Sequence, residues 1–161
     1  RDAVSRRRQR NQPTIFICGG CDGEQMLHSV ECFDPFRKAW LDPPPPMSRP
    51  RFTCMCGVVE GFLYVCGGFD GNEVLKAVEC FDPCFGTWRS APSMLQPRLF
   101  SAVAVLNGFI YVAGGCITGQ AALGSVERFC PQRRRWQLLP PMLFPRAFAA
   151  AGGFAVQGVS Y

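Results

Sequence analysis

The stretch FLYVCGGFDGNEVLKAVECFDP, residues 62–83, decides the fold. An apolar run comes before a double glycine, an Asp-Gly turn follows it, and the β-prone run VECF ends at an Asp-Pro turn. Such runs between turn residues predict short antiparallel strands joined by tight loops. One further β-prone run lies before this stretch and another lies after it. The predicted strands are Thr53–Val59, Phe62–Cys66, Ala77–Phe81 and Thr87–Ser90.

This pattern recurs along the chain with a period of 47 to 48 residues. Double glycines, single tryptophans and single glutamates mark each copy, and a Pro-Arg pair precedes the first strand of the next one. The markers are Gly19, Gly20, Gly67, Gly68, Gly114, Gly115, Trp40, Trp88, Trp136, Glu31, Glu79 and Glu127. A sheet of four short strands buries little apolar surface alone, so such repeats stack face to face around an axis. The class is therefore all-β.

The markers and the period together resemble the kelch motif over about residues 14–146. The resemblance implies a partial kelch-type β-propeller of about three four-stranded antiparallel blades, at residues 14–48, 49–95 and 96–143. We expect the first blade to lack part of its strand set, and residues 144–161 to begin an incomplete fourth repeat. In the third copy Cys130 replaces the aspartate of the last turn, and we expect that blade to form nevertheless.

In their markers and period the repeats resemble those of the kelch-like adaptors. In these adaptors, BTB and BACK domains precede a propeller of usually about six blades. The resemblance implies a protein-interaction module, the substrate-recognition propeller of a cullin-RING ubiquitin ligase adaptor. Cullin would be contacted only through the BTB and BACK parts, which are absent from these 161 residues, so we expect a fragment or truncated product. The alternative is an actin-associated or scaffolding kelch protein.

By the same resemblance, the loops after the double glycines and those entering each blade share the face that receives a partner peptide. That predicted face holds Arg51, Phe52, Arg98, Leu99, Arg146, Cys21, Phe69, Asn72 and Cys116. Exposed arginines would bind carboxylates by paired hydrogen bonds, and Phe69 would anchor an apolar group. We therefore predict a protein partner that presents an acidic motif. The alternative is that each arginine caps the edge of its blade.

The residue types that could form a catalytic or metal site do not indicate one in this sequence. The ten cysteines take repeat positions that other copies fill with ordinary residues, so we expect free thiols and a cytoplasmic or nuclear location. His28 is the only histidine and has no evident catalytic partner. The three repeated glutamates are spread over three blades, which favours a structural role. We predict no enzyme, no cofactor and no metal.

Charge is concentrated at the start of the chain. Five arginines fall within residues 1–10, while the net charge of the whole is +5. We interpret residues 1–13 as a basic linker and predict no nucleic-acid partner, although such runs also bind nucleic acid. No apolar run is long enough for a membrane helix, so we predict no membrane partner. An open set of blades would leave apolar faces uncovered at both ends.

Overall fold

A computed structural model describes residues 13–118 and 120–154, which form eleven strands in three antiparallel sheets. The strands are β1 (Ile15–Cys18), β2 (Val30–Asp34), β3 (Ala39–Trp40), β4 (Met55–Val59), β5 (Phe62–Cys66), β6 (Val78–Asp82), β7 (Thr87–Ala91), β8 (Ala102–Leu106), β9 (Phe109–Ala113), β10 (Val126–Cys130) and β11 (Arg135–Leu139). Within those residues no helix is long and apolar enough to span a membrane. The all-β prediction is confirmed.

The middle sheet is a simple meander in the order β4-β5-β6-β7. Glu60 and Gly61 make the turn between β4 and β5, both with positive φ, and Val59 pairs with Phe62 across it. The Asp82 carboxylate accepts the Cys84 amide at 2.9 Å and so shapes the turn before β7. The sheet forms because each short β-prone run meets a turn residue at the position where the chain must reverse.

The first strand of this blade begins later than the sequence predicts. The sequence predicts that the strand begins at Thr53, but the φ of Thr53 is +56° and pairing starts at Met55. Just before it, Phe52 pairs with Phe69 in an isolated bridge. The chain must turn between this bridge and the pairing of β4 with β5. This turn outweighs the preference of the β-branched Thr53 for a strand conformation. The third strand starts one residue later than predicted, at Val78.

The third sheet repeats the meander in the order β11-β10-β9-β8. The replacement of the turn aspartate by Cys130 does not interrupt it, because Arg134 N donates to Pro131 O at 3.2 Å and Arg134 adopts a φ of +49°. β10 and β11 pair along their whole length, from Val126 with Leu139 to Cys130 with Arg135. The expectation that this blade forms is confirmed.

The first sheet has three strands in the order β1-β2-β3. Cys18 pairs with Val30 as Cys66 pairs with Val78, so β1 is the counterpart of β5. The described residues therefore hold no counterpart of β4 and β8 in the first blade. Because β4 lies beside β8, the first strands occupy the inner edge of the stack. The repeat position of the innermost strand of the first blade falls on residues 7–11, which lie outside the described residues, so the expected incompleteness of this blade stays a prediction.

Two apolar clusters join neighbouring blades. One packs Met55, Tyr64 and Cys66 of the middle blade against the third blade, whose Ile110 and Phe129 are fully buried. The other packs the opposite face of the middle blade against the first. Its members are Val30, Met47, Leu63, Val65 and Phe81, with Phe16, Cys18, Cys54, Cys56 and Trp88 around them. The middle blade is thus covered on both faces, which is how a stack of thin sheets obtains a core.

Candidate protein-binding face

The repeated arginine and the repeated glutamate of a blade form a buried ion pair. Arg51 is 0% exposed, and its Nε and Nη2 donate to Glu79 Oε1 at 3.1 and 3.0 Å. Its Nη1 donates to the carbonyls of Gly67 and Ala77 at 2.8 and 3.0 Å. The other carboxylate oxygen of Glu79 accepts the Ser48 amide at 2.9 Å. The pair therefore fastens the chain entering the blade to its second and third strands.

The third blade repeats this arrangement. Arg98 is 0% exposed and its Nε and Nη2 donate to Glu127 Oε1 at 3.1 and 3.0 Å. Its Nη1 reaches the Gly114 and Ser125 carbonyls at 2.6 and 3.1 Å. Glu127, also 0% exposed, accepts the Leu95 amide at 2.6 Å. Both charges are thus paired and hydrogen-bonded, as buried ions must be.

These contacts correct the role predicted for two arginines of the binding face. Arg51 and Arg98 do not reach a surface where a partner could meet them, and their donors are directed to Glu79, Glu127 and backbone carbonyls. The alternative interpretation, in which the arginine holds the blade edge, is the one the structure supports. The same contacts give Glu79 and Glu127 the structural role expected of them.

The double glycines connect each blade to the entry of the next. Gly20 N donates to Arg51 O at 2.9 Å, Gly68 N to Arg98 O at 2.9 Å, and Gly115 N to Arg146 O at 2.8 Å. A Cβ on Gly68 would lie 2.8 Å from the carbonyl oxygen of Phe52, closer than real Cβ contacts come. Glycine is therefore required where the two loops meet, because only glycine allows this approach with a φ of +94°.

The two loop types that were predicted to share one face are joined by backbone hydrogen bonds. Phe52 and Phe69 exchange hydrogen bonds of 2.8 and 2.9 Å, and Leu99 and Cys116 exchange bonds of 3.0 and 2.9 Å. The entry loop of a blade is thus joined to the loop after its own double glycine. Phe52, Phe69 and Cys116 are half-buried there, whereas Leu99 is buried.

A row of phenylalanine rings crosses these loops. The Phe52 and Phe100 rings lie 6.2 Å apart edge to face, and the Phe100 and Phe148 rings lie 3.9 Å apart. Phe148 is 74% exposed and Phe100 is half-buried. Sequence reasoning missed Phe100 and Phe148. Both follow the repeated arginine by two residues, a signal that the register alone could have supplied.

The backbone at this row is held in an unusual conformation. Thr53, Phe100 and Phe148 occupy the same repeat position and have φ values of +56°, +55° and +58°. Bulky and β-branched residues rarely adopt positive φ, which costs on the order of 1 kcal/mol or more and persists where the surroundings impose it. The entry loop therefore projects these side chains in a fixed direction that a relaxed chain would not choose.

The remaining predicted residues are exposed, and so are acidic groups beside them. Cys21, Asn72 and Arg146 lie at the surface. Asp70 accepts the Glu73 and Asn72 amides at 2.9 and 3.0 Å, and these hydrogen bonds lower the pKa of its carboxyl. Asp22 accepts the amides of Gln25 and Glu24 in the same way, and its pKa is lowered for the same reason. The loops after the double glycines thus present carboxylates.

The structure shows no disulfide among the cysteines of the described residues. Hydrogen bonding to the Cys56 thiol, together with burial, raises the pKa of Cys54, and contact with the Cys18 thiol raises that of Cys56. Burial raises the pKa of the Cys66 thiol to about 12. Within the described part of the chain, no group of three His, Cys, Asp or Glu side chains is arranged to hold a metal ion. The buried thiols act as small apolar side chains.

The kelch motif matches the chain three times, over residues 12–47, 50–95 and 97–143. The chain belongs to the kelch-repeat family. Kelch repeats indicate a protein-interaction propeller, and such propellers are generally non-catalytic. No curated protein matches the chain. For this kelch chain, the loops that carry Phe52, Phe69, Phe100 and Phe148 are the candidate binding face, and the name "phenylalanine face" refers to these four residues below.

Proposed function

We propose that the phenylalanine face captures an extended segment of another protein by enclosing an apolar side chain of that segment. The observation that carries the proposal is the ring row from Phe52 through Phe100 to Phe148, on loops fixed by paired backbones and positive φ. Aromatic anchors on rigid loops provide most of the energy of many protein interfaces, because their side chains lose little entropy on binding.

The charges around this face favour an apolar anchor over the predicted acidic motif. Two of the three predicted guanidinium groups are buried, so Arg146 alone could meet a carboxylate. Asp22 and Asp70 stand on the neighbouring loops, and Asp70 is paired with Arg49 at 3.1 Å. Like charges opposed across an interface reduce affinity. The proposed partner segment therefore carries an apolar anchor flanked by neutral or basic residues.

We further propose that the capture serves a cullin-RING ubiquitin ligase, with this propeller as the substrate-recognition part. The support is the kelch repeat itself and the resemblance of its markers to the kelch-like adaptors. We place this function in the cytoplasm, with the nucleus as the alternative, where thiols such as the exposed Cys21 stay reduced. Actin binding is the competing function that the experiment below distinguishes.

The test uses the 161-residue chain as bait in a cytosolic extract. Phe69→Ala removes one ring of the face, and its backbone pairing with Phe52 can persist because alanine keeps the amide and carbonyl. We expect at least a tenfold loss of partner capture, a typical cost for a central aromatic anchor. Phe85→Ala is the matched control, since Phe85 is 67% exposed in the turn between β6 and β7.

Two outcomes decide the proposal. Equal capture by the Phe69 variant and the Phe85 variant would place the binding face elsewhere on the molecule. Identification of the Phe69-dependent partner then separates the two functions. A ligase substrate accumulates in cells when cullin-RING ligases are inhibited, whereas recovery of actin as that partner would replace the adaptor role with a cytoskeletal one.

A further inference from the structure

The segment that connects the first blade to the middle blade contains a run of four prolines, Pro43–Pro46. Six residues separate Trp40 from Met47, whereas five separate the same two repeat positions in each later copy. The later copies hold one and two prolines there, in RSAPS (residues 89–93) and QLLPP (residues 137–141). The later blades form without such a run, so the repeat itself does not require it.

The proline rings determine the backbone conformation of the run. Each ring holds φ at about −65°, and a residue that precedes a proline is confined to extended ψ values of about +120° to +160°. Asp42, Pro43, Pro44 and Pro45 all precede a proline. The segment is therefore a polyproline II helix, which has about three residues per turn. The described backbone agrees, because residues 41–47 are in no strand or turn.

Exposure along the segment follows this period of about three residues. Leu41, Pro44 and Met47 share the edge that faces the protein. Leu41 and Pro44 are half-buried, and Met47 is 2% exposed in the cluster between the first and middle blades. The other two edges are exposed, and their residues are Pro43 and Pro46 on one edge and Asp42, Pro45 and Ser48 on the other. The helix thus lies along the surface with two of its three edges directed outward.

Backbone hydrogen bonds hold both ends of this helix. Leu41 N donates to Cys32 O at 2.9 Å, just before the prolines. Met47 N donates to His28 O at 2.9 Å, just after them. Between these two anchors the proline rings leave the backbone little freedom to rotate. The conformation of the segment is therefore fixed in the absence of any partner, which lowers the entropy cost of binding one.

One carbonyl of the run accepts a hydrogen bond from a tryptophan of the protein itself. The indole N–H of Trp88 donates to Pro45 O at 2.7 Å. Among the described residues, none donates to the carbonyls of Pro43 and Pro46. A polyproline II helix has no internal hydrogen bonds, so these carbonyls are acceptors for groups outside the helix. A partner with an aromatic donor can thus bind them in the way that Trp88 binds Pro45.

From these observations we propose that residues 42–46 are a preformed ligand for a domain of another protein that binds polyproline II helices. Such domains hold a proline-rich segment in a groove lined by aromatic rings. Pro43 and Pro46 lie one turn apart on the same exposed edge, a spacing of about 9 Å, so their rings enter successive positions along that groove. The proposal does not rest on the phenylalanine face, which shares no residue with this segment.

Surface plasmon resonance tests this proposal with the 161-residue chain immobilised and a panel of purified SH3, WW and EVH1 domains in solution. These three classes bind proline-rich segments through aromatic grooves, and we expect saturable binding by at least one of them. Pro43→Ala and Pro46→Ala should each raise the dissociation constant by about tenfold or more, because each removes a ring from the exposed edge. Replacing the groove tryptophan of the bound domain by alanine should abolish binding.

Two proline-to-alanine variants are the matched controls. Pro44→Ala changes the inward edge of the same helix, and Pro141→Ala changes the exposed residue of the third copy that takes the repeat position of Pro46. Both should leave the dissociation constant close to that of the unchanged chain, and thermal unfolding checks that every variant is folded. A panel in which no domain binds, binding that survives both exposed-edge substitutions, or an equal loss for Pro44→Ala would each overturn the proposal.

Discussion

Arg51 and Arg98 are the largest fully buried side chains of the described residues, and each meets a carboxylate that is itself buried. Burying an ion costs several kcal/mol, and the cost is offset only when every donor and acceptor is satisfied. Here each guanidinium group binds one carboxylate and two carbonyls. At this scale the arginine is part of the blade core, and its removal leaves a buried negative charge.

We therefore expect Arg98→Ala to destabilise the fold by about 3–5 kcal/mol, the usual cost of breaking a buried ion pair. Urea denaturation followed by tryptophan fluorescence measures it. Arg49→Ala is the matched control, because the Arg49 side chain is 44% exposed in its ion pairs and should cost about 0–1 kcal/mol. Equal midpoints for the two variants would show that the Arg98 pair contributes nothing to the blade.

Thiol reactivity is a second property set by single residues. A protonated thiol is a poor nucleophile, and burial raises the pKa of Cys66 to about 12, so at pH 8 its thiolate fraction is very small. We expect iodoacetamide to alkylate the exposed Cys21 rapidly and Cys66 only after unfolding, as followed by peptide mass spectrometry. Labelling of Cys66 in the folded protein at the rate of Cys21 would place Cys66 at the surface.

At the scale of the elements, the entry loop and the loop after the double glycine determine the shape of each blade end. Their backbones come so close that the carbonyl of Phe52 lies where a side chain of residue 68 would begin. The repeated positive φ at Thr53, Phe100 and Phe148 belongs to the same junction. Contact between the two backbones therefore determines the conformation of the loops. The loops in turn determine where the aromatic side chains lie.

Gly68→Ala should destabilise the chain more than Gly71→Ala does. Both glycines have positive φ, +94° and +103°, so both substitutions carry the same conformational cost of about 1 kcal/mol. Only at residue 68 does the new Cβ also meet backbone atoms, with Phe52 O at 2.8 Å and Cys54 N at 3.1 Å. Thermal unfolding monitored by circular dichroism compares them. Equal losses would mean that the two loops are further apart than described.

The elements also show what the sequence could and could not predict. The period, the double glycines and the turn residues place each strand within one or two residues, because turns and β-prone runs are local signals. The role of the repeated arginine could not be predicted from local sequence signals. Pro-Arg at the start of a blade suits a surface loop or a buried pair equally, and only the fold brings Arg51 within 3.0 Å of Glu79. Phe100 was missed because its importance comes from the neighbouring ring of Phe148.

For the whole molecule, stability comes from contacts between blades. The middle blade is covered by apolar clusters on both faces, and its strands β5 and β6 hold several of the most buried side chains, among them Val65, Cys66 and Cys80. The outer strand β3 of the first blade is short and exposed. A stack of this kind should open from its edges while its middle persists, as repeat proteins do.

The measurement that tests this account most directly is hydrogen–deuterium exchange across the chain, followed by mass spectrometry. The stacked-blade structure predicts that amides of Phe62–Cys66 and Val78–Asp82 exchange slowest, because they are paired on both sides in a sheet covered on both faces. Amides of Ala39–Trp40 should exchange orders of magnitude faster. If the two central strands exchange as fast as Ala39–Trp40, the blades are not stacked and the central claim fails.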